Sequence, residues 1–313
     1  MISVKRILFP TDFSECAERA LRIAESLAER YDAELHKLHV IVWSGTGLHP
    51  GILFGMSSVE REQFLEKARR AVDERLARDA AESDRTYEAR PTQVVHTSAA
   101  DAIADYVDEH DIDLVVIGTH GHGPIKKLLL GSTAEKVVRT ARCPVLTVRQ
   151  EVDVAHFDPR RILVPVDFSD QTEGLLRHAM HLAAEKGASI DAVHVVQPQY
   201  LPAVYYGREP IPIPYDEIKH RALDHLKEVL EKVVGAAVET RPRVVLGDPV
   251  SEIIDMAGGA DYDLLVIATH GYSGLKHVLL GSIAERVVRS APCPVLVVKS
   301  FGHSILQTGV SKT

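Results

Sequence analysis

The chain has 313 residues, 45% hydrophobic and 26% charged, with a formal net charge of −8. That length supports two domains of ordinary size, each with its own core. Both halves are acidic, which excludes the basic footprint of a nucleic-acid binder, and no apolar run approaches the ~18 residues that span a bilayer.

From the N-terminus, Arg6–Pro10 is a short β-rich run ending in proline. Its apolar part is too short, and the chain turns acidic too soon, for a signal peptide. An amphipathic helix follows, with Ala17, Ala20, Leu21, Ala24, Leu27 and Ala28 at helical spacing and Ser14 as a natural N-cap. The second strand is predicted near Glu34–Val42, mostly apolar on both faces, as suits a parallel strand covered by helices. A glycine-rich loop, Trp43–Ser57, leads to a long charged helix of about Ser58–Ala81. Its pairs Glu66–Arg70 and Glu74–Arg78 have the spacing of a solvated face. A third strand at Thr92–His96 is followed by a short helix opened by the capping box Ser98-x-x-Asp101. The fourth strand runs from Asp113 into glycines, a helix begins at Gly131-Ser132, and Cys143-Pro144-Val145 opens the last strand.

The same order then returns. RILFPTDFS at Arg6–Ser14 reappears as RILVPVDFS at Arg161–Ser169, so Ser169 is the corresponding N-cap. Further elements are expected at Ser189–Val196, Tyr215–Val234 and Arg243–Leu246, with Asp248 as N-cap and Pro249 at the first helical position. Between them lies the proline- and tyrosine-rich loop Pro198–Pro214. That loop and Trp43–Ser57 both follow a second strand, where each either folds over a ligand or serves as an irregular connection. A period of roughly 150 residues is a domain duplication and not a solenoid repeat. Domains are expected at 1–150 and 160–300, with a linker at Gln150–Pro159 and a mobile tail after Ser300. Cys143 and Cys293 fall at equivalent positions and read, with Cys16, as small buried residues in a reducing cytoplasm.

Each copy is β-α-β-α-β-α-β-α-β. The fold class is therefore α/β: two tandem Rossmann-like domains, each an open parallel five-stranded sheet with helices on both faces. Ligands of such sheets bind outside the carboxyl ends of the strands, where strand order reverses. Asp12, Val40 and the glycine loop are predicted to converge there.

The glycine segments are near-copies. In the first, Gly118, Gly121 and Gly131-Ser132 give G-x2-G-x9-G-S; the second keeps Gly271 and Gly281-Ser282 but has Ala268 at the leading position. Glycine permits close backbone approach and positive φ, and a helix start presents N–H groups and a positive dipole end to an anion. Ser132-x-x-Glu135 and Ser282-x-x-Glu285 are also capping boxes, a role compatible with donation to a phosphate. Neither a Walker loop nor a dinucleotide fingerprint is present. His39, His120, His194 and His270 recur at equivalent sites without zinc-ligand spacing.

With these residues the chain resembles the universal stress protein family in its tandem two-domain form. The likeness rests on P-T-D-F-S and P-V-D-F-S, H-V-I and H-V-V, the spaced glycines and the A-x-C-P-V-L ending, and covers nearly the whole chain. The resemblance implies ATP binding, with Asp12 and Asp167 at the adenosine end and backbone groups of Val40 and Val195 toward adenine. Gly118, Gly121, Gly131, Ser132 and Thr133 would hold ribose and phosphates, as would Ala268, Gly271, Gly281, Ser282 and Ile283 in the second copy. Mg2+ would be carried by the phosphates. Ala268 departs from the pattern, and its methyl is expected to crowd the ribose if the position needs tight contact. Pro124 departs too, where the second copy has Gly274.

The resemblance further implies pairing of the copies through their last strands as an intramolecular pseudo-dimer, and leaves a homodimer open. The function expected is a cytoplasmic, ATP-binding stress-response regulator, whose nucleotide state governs interactions or assembly, and not a dedicated enzyme. The alternative is a slow ATP hydrolase or phosphotransfer enzyme, with Lys126, Lys127 and His122 as candidate polar groups. A third reading is an interaction scaffold that has lost its nucleotide.

Overall fold

Strand β1 (Arg6–Thr11) carries Ile7, Leu8 and Phe9 into the core and ends at the residue before Asp12. In this computed structural model the described residues are 3–43, 57–81, 87–120, 130–149, 157–198, 213–259, 262–269, 280–299 and 304–306. They divide into Met1–Phe157 with Phe301–Thr313, and Asp158–Ser300. Gly121 and Gly271, the lysines at 126 and 127, His122, Pro124 and His270, and nearly all of the two long loops lie outside the described residues.

In the first unit the elements after β1 are α1 (Glu15–Tyr31), β2 (Glu34–Val42), α2 (Ser58–Ala81), β3 (Ala89–His96), α3 (Ala99–Glu109), β4 (Leu114–Gly118), α4 (Ser132–Thr140) and β5 (Val145–Val148). The parallel strands lie in the order β3-β2-β1-β4-β5. Order reverses between β1 and β4, so the crevice of a doubly wound sheet opens there. Right-handed crossovers put α1 and α2 on one face and α3 and α4 on the other; α1 packs on β1 and β4, and α3 packs on β2 and against α4.

The second unit repeats this with β6 (Arg161–Pro165), α5 (Thr172–Lys186), β7 (Ser189–Val196), α6 (Tyr215–Val233), β8 (Thr240–Leu246), α7 (Pro249–Gly259), β9 (Leu264–Ala268), α8 (Ser282–Ser290) and β10 (Val295–Val298). Its order is β8-β7-β6-β9-β10, again parallel.

The aspartate that opens each glycine segment fastens the sheet. Asp113 Oδ2 accepts the N–H groups of Lys5 and Arg6 at 2.8 and 3.0 Å, and Asp263 Oδ2 accepts those of Arg160 and Arg161 at 2.7 and 2.9 Å. Both thereby tie the start of the first strand to the fourth.

Two expectations are corrected. The third strands begin about three residues earlier than predicted, taking in Pro91 and Pro242. In its own sheet each is the strand beyond the second, paired only with β2 or β7, and an outer strand tolerates proline where its missing N–H faces away from the ladder. The tail is not wholly detached, because Ile305 is buried and its carbonyl accepts the Ser3 N–H at 2.7 Å. The long helix α2 has an N-terminal box at Ser57 and Glu60, with Ser57 N–H donated to Glu60 at 2.7 Å.

Candidate functional site

The turn after β1 is the same in both units. Asp12 Oδ1 accepts the Ser14 N–H at 3.0 Å, and Asp167 Oδ1 accepts the Ser169 N–H at 3.0 Å. Between them Phe13 (φ 62°) and Phe168 (φ 59°) occupy the left-handed region, which for a bulky side chain is unfavourable. Their rings are held by histidines of the second strand: Phe13 lies 4.7 Å from the His39 ring and Phe168 4.4 Å from that of His194. Each histidine Nδ1 in turn sits 2.8 Å from a carbonyl at the end of the first strand, Thr11 O or Val166 O. Burial lowers the His39 pKa, opposed by the Thr11 hydrogen bond and by Asp12. The repeated histidines are thus braces for a strained turn that leaves both aspartates exposed. The phenylalanines were missed in the sequence, although their repetition inside D-F-S was a signal.

At the glycine end, the helix start is tied to the end of the fourth strand. Gly131 N–H donates to Thr119 O at 2.7 Å, and Gly281 N–H donates to Thr269 O at 2.7 Å. A Cβ on Gly131 would lie 3.1 Å from Thr119 O, a tight contact that favours glycine here. Positive φ does not, since φ is −64° at Gly131 and −61° at Gly281. The capping-box expectation is corrected as well. Gly131 and Gly281 are themselves the N-caps, without side-chain cap bonds, and Glu135 N–H and Glu285 N–H donate to their carbonyls. Ser132 and Ser282 are the first helical residues, and Glu285 pairs with Arg289 at 2.8 Å instead of reaching back. Within each helix the next three N–H groups, at 132–134 and 282–284, have no intrahelical acceptor.

Gly118 has a reason inside the domain. A Cβ there would lie 3.1 Å from the backbone and Sγ of Cys16 in the first turn of α1. The equivalent helix α5 starts two residues later, at Thr172, with Gln171 as N-cap and no side-chain cap. Ser14 is an N-cap, accepting the Ala17 N–H at 3.2 Å, whereas Ser169 is not, contrary to expectation. Ala268 stands at the position equivalent to Gly118, in a unit whose first helix begins two residues later.

These pieces surround one cavity per unit. In the first, Asp12, Val40, Gly118, Gly131, Ser132 and Thr133 all line a space of about 370 Å³. In the second, Asp167, Val195, Ala268, Gly281, Ser282 and Ile283 line one of about 420 Å³. Both volumes suit a small-molecule site. Every described candidate residue is thus brought to a cavity, although they are scattered over more than a hundred positions of each copy. The chemistry on offer is a carboxylate at the first-strand end and a row of helix N–H groups with serine hydroxyls at the other, an arrangement able to hold an anionic group. Among the described residues no group of three His, Cys, Asp or Glu could hold a metal ion, and no helix is long and apolar enough to cross a membrane.

Comparison with known proteins follows the duplication. A family model described as the Universal stress protein family matches residues 3–149 and again 159–299. A universal stress protein of Mycolicibacterium smegmatis is 28% identical over 306 residues, covering 94% of this chain and 96% of that protein. Universal stress protein MJ0531 of Methanocaldococcus jannaschii is 35% identical over 141 residues, 45% of this chain and 82% of that one. Among solved structures, a universal stress protein from Archaeoglobus fulgidus shares the fold with a TM-score of 0.65, at 23% identity over 96% of this chain and 97% of that chain.

Proposed function

The chain belongs to the universal stress protein family, and from that premise we propose that it is a cytoplasmic regulator that binds ATP in both domains, its nucleotide-bound state governing its interactions or assembly. The observation that carries this reading is the gathering, in each unit, of the first-strand aspartate, the second-strand valine and the Gly-Ser helix start around one cavity. The adenosine end falls to Asp12 with Val40, and to Asp167 with Val195. The phosphates fall to the N–H groups at 132–134 and 282–284 and to the Ser132 and Ser282 hydroxyls, with Mg2+ held by the phosphates themselves. The intramolecular pseudo-dimer implied by the family resemblance is part of the same proposal, tested by slow amide exchange at Val145 and Val295.

The test is to denature the purified full chain and identify what is released. ATP is the expected product, and ADP would point to hydrolysis. No adenine nucleotide, together with no binding on titration, would overturn the reading. A second measurement addresses the residues. Gly131→Val places a branched side chain where even a Cβ lies 3.1 Å from Thr119 O, and is expected to weaken ATP binding in the first domain more than about tenfold. Unchanged affinity in a folded Gly131→Val protein, with the second site disabled by Gly281→Val, would remove Gly131 from the site.

A further inference from the structure

The two cavities are related by duplication and share the aspartate and the Gly-Ser helix start, yet the polar residues by which they differ lie mostly at opposite ends. At the helix end of the first, Thr133 adds a second hydroxyl beside Ser132. The second cavity has Ile283 there, an aliphatic side chain 42% exposed at the start of α8. At the other end the order inverts. Val42, half exposed at the end of β2, lines the first cavity, and Gln197 takes its place in the second. In the wall, Ala17 of the first cavity is replaced by Thr172, which is 5% exposed and whose Oγ1 has no hydrogen-bond partner among the described residues. The later start of α5 has the same effect on Ser169, whose Oγ caps no helix and is likewise buried without a partner among the described residues. One change runs the other way, from Thr11 to Val166. It takes little from the cavity, because the Thr11 hydroxyl already accepts the Phe13 N–H at 3.0 Å.

A buried, unmatched hydroxyl is unfavourable until a partner arrives, and the isoleucine side chain adds no donor to the backbone N–H groups at the start of α8. We infer that the cavities differ in the part of the ligand they read. The first selects the phosphate-rich end of a nucleoside triphosphate; the second selects the nucleoside, through Gln197 and Thr172, and accepts a nucleoside monophosphate nearly as well as a triphosphate. The inference rests on the nucleotide-binding reading above and deepens it.

The experiment is calorimetric titration of the full chain with ATP and, separately, AMP, on the wild type and on variants shown to be folded by circular dichroism. Two classes of site are expected. One prefers ATP over AMP by about tenfold, the scale of one hydrogen bond to a charged group, and the other shows little preference. Ile283→Thr should raise the ATP preference of the second class, and Thr133→Ile should lower that of the first. Thr172→Val combined with Gln197→Ala should weaken both ligands equally at the second class and leave the first unchanged. Two occupied classes sharing one ATP-to-AMP ratio, unmoved by either exchange at 133 or 283, would overturn this inference alone. No binding of either nucleotide would overturn the nucleotide reading, and this inference with it.

Discussion

Phe13 and Phe168 show how single residues set the site. A left-handed φ on a bulky residue costs about 1–2 kcal/mol, and here the aspartate turn and the adjacent histidine ring hold it in place. Gly118 illustrates the opposite constraint, a residue fixed by what it lacks. Gly118→Ala is expected to destabilise the first domain by about 1–3 kcal/mol, because its methyl meets the Cys16 backbone at 3.1 Å. Ala268→Gly meets no such contact, and the expected change is a loss of at most about 1 kcal/mol from added chain freedom. Urea unfolding of the two variants checks the contrast, and equal effects would show that α1 can move aside.

At the level of elements, the duplicated helices begin differently despite the repeated Asp-Phe-Ser. Ser14 accepts the Ala17 N–H and donates to His120 O at 3.3 Å, joining α1 to the end of β4. Ser169 does no such capping. Ser14→Ala should therefore cost about 1 kcal/mol of first-domain stability, while Ser169→Ala should be neutral or slightly stabilising, since it removes an unmatched hydroxyl. Thermal unfolding of each single variant against wild type measures this, and an equal loss at both would contradict the difference in caps. The cap bonds of Ser98 to the Asp101 N–H and of Asp248 to the Ser251 N–H are made, but Ser98-x-x-Asp101 is not the full box expected: the Ser98 N–H donates to His96 Nδ1, and the Asp101 carboxylate pairs with Lys136.

Across the whole molecule the copies share a frame but bury different ionisable groups. The third residues of β2 and β7 are His36 and Asp191, both buried and at equivalent positions. Asp191 accepts from Tyr262 at 2.6 Å and faces Arg161 and Arg243 at 3.4 and 3.3 Å; burial first, then this aspartate, pushes the Tyr262 pKa up to about 12. His36 lies against Glu34, Tyr106 and His110, and burial lowers its pKa although Glu34 opposes the shift. Burial likewise lowers the pKa of His39 and His178. Below their ordinary value of 6.5 the unfolded chain binds more protons than the folded one. The stability these histidines contribute is thus full above that pH and is lost as pH falls toward their folded-state values. Urea midpoints should fall between pH 7.5 and 5.5, and His36→Gln should flatten the slope for the first domain. A slope unchanged in that variant would remove His36 from the effect.

By itself the sequence determined the duplication, the alternation of strands and helices, the parallel sheets and the set of residues at the strand ends. Those are properties of periodicity, composition and repeated local motifs, which survive without knowledge of distant neighbours. Asp12, Val40 and Gly131 could be placed at one crevice because the topology of such sheets leaves them nowhere else to meet. Only the tertiary structure decided why each is what it is. Gly118 is glycine because α1 begins beside it, and Gly131 is favoured because the Thr119 carbonyl lies against it. Ser132 yields the cap to Gly131, and Pro91 joins a strand because that strand pairs on one side only within its sheet. Each of these depends on a contact between segments far apart in the chain, and contacts of that kind leave no local pattern to read.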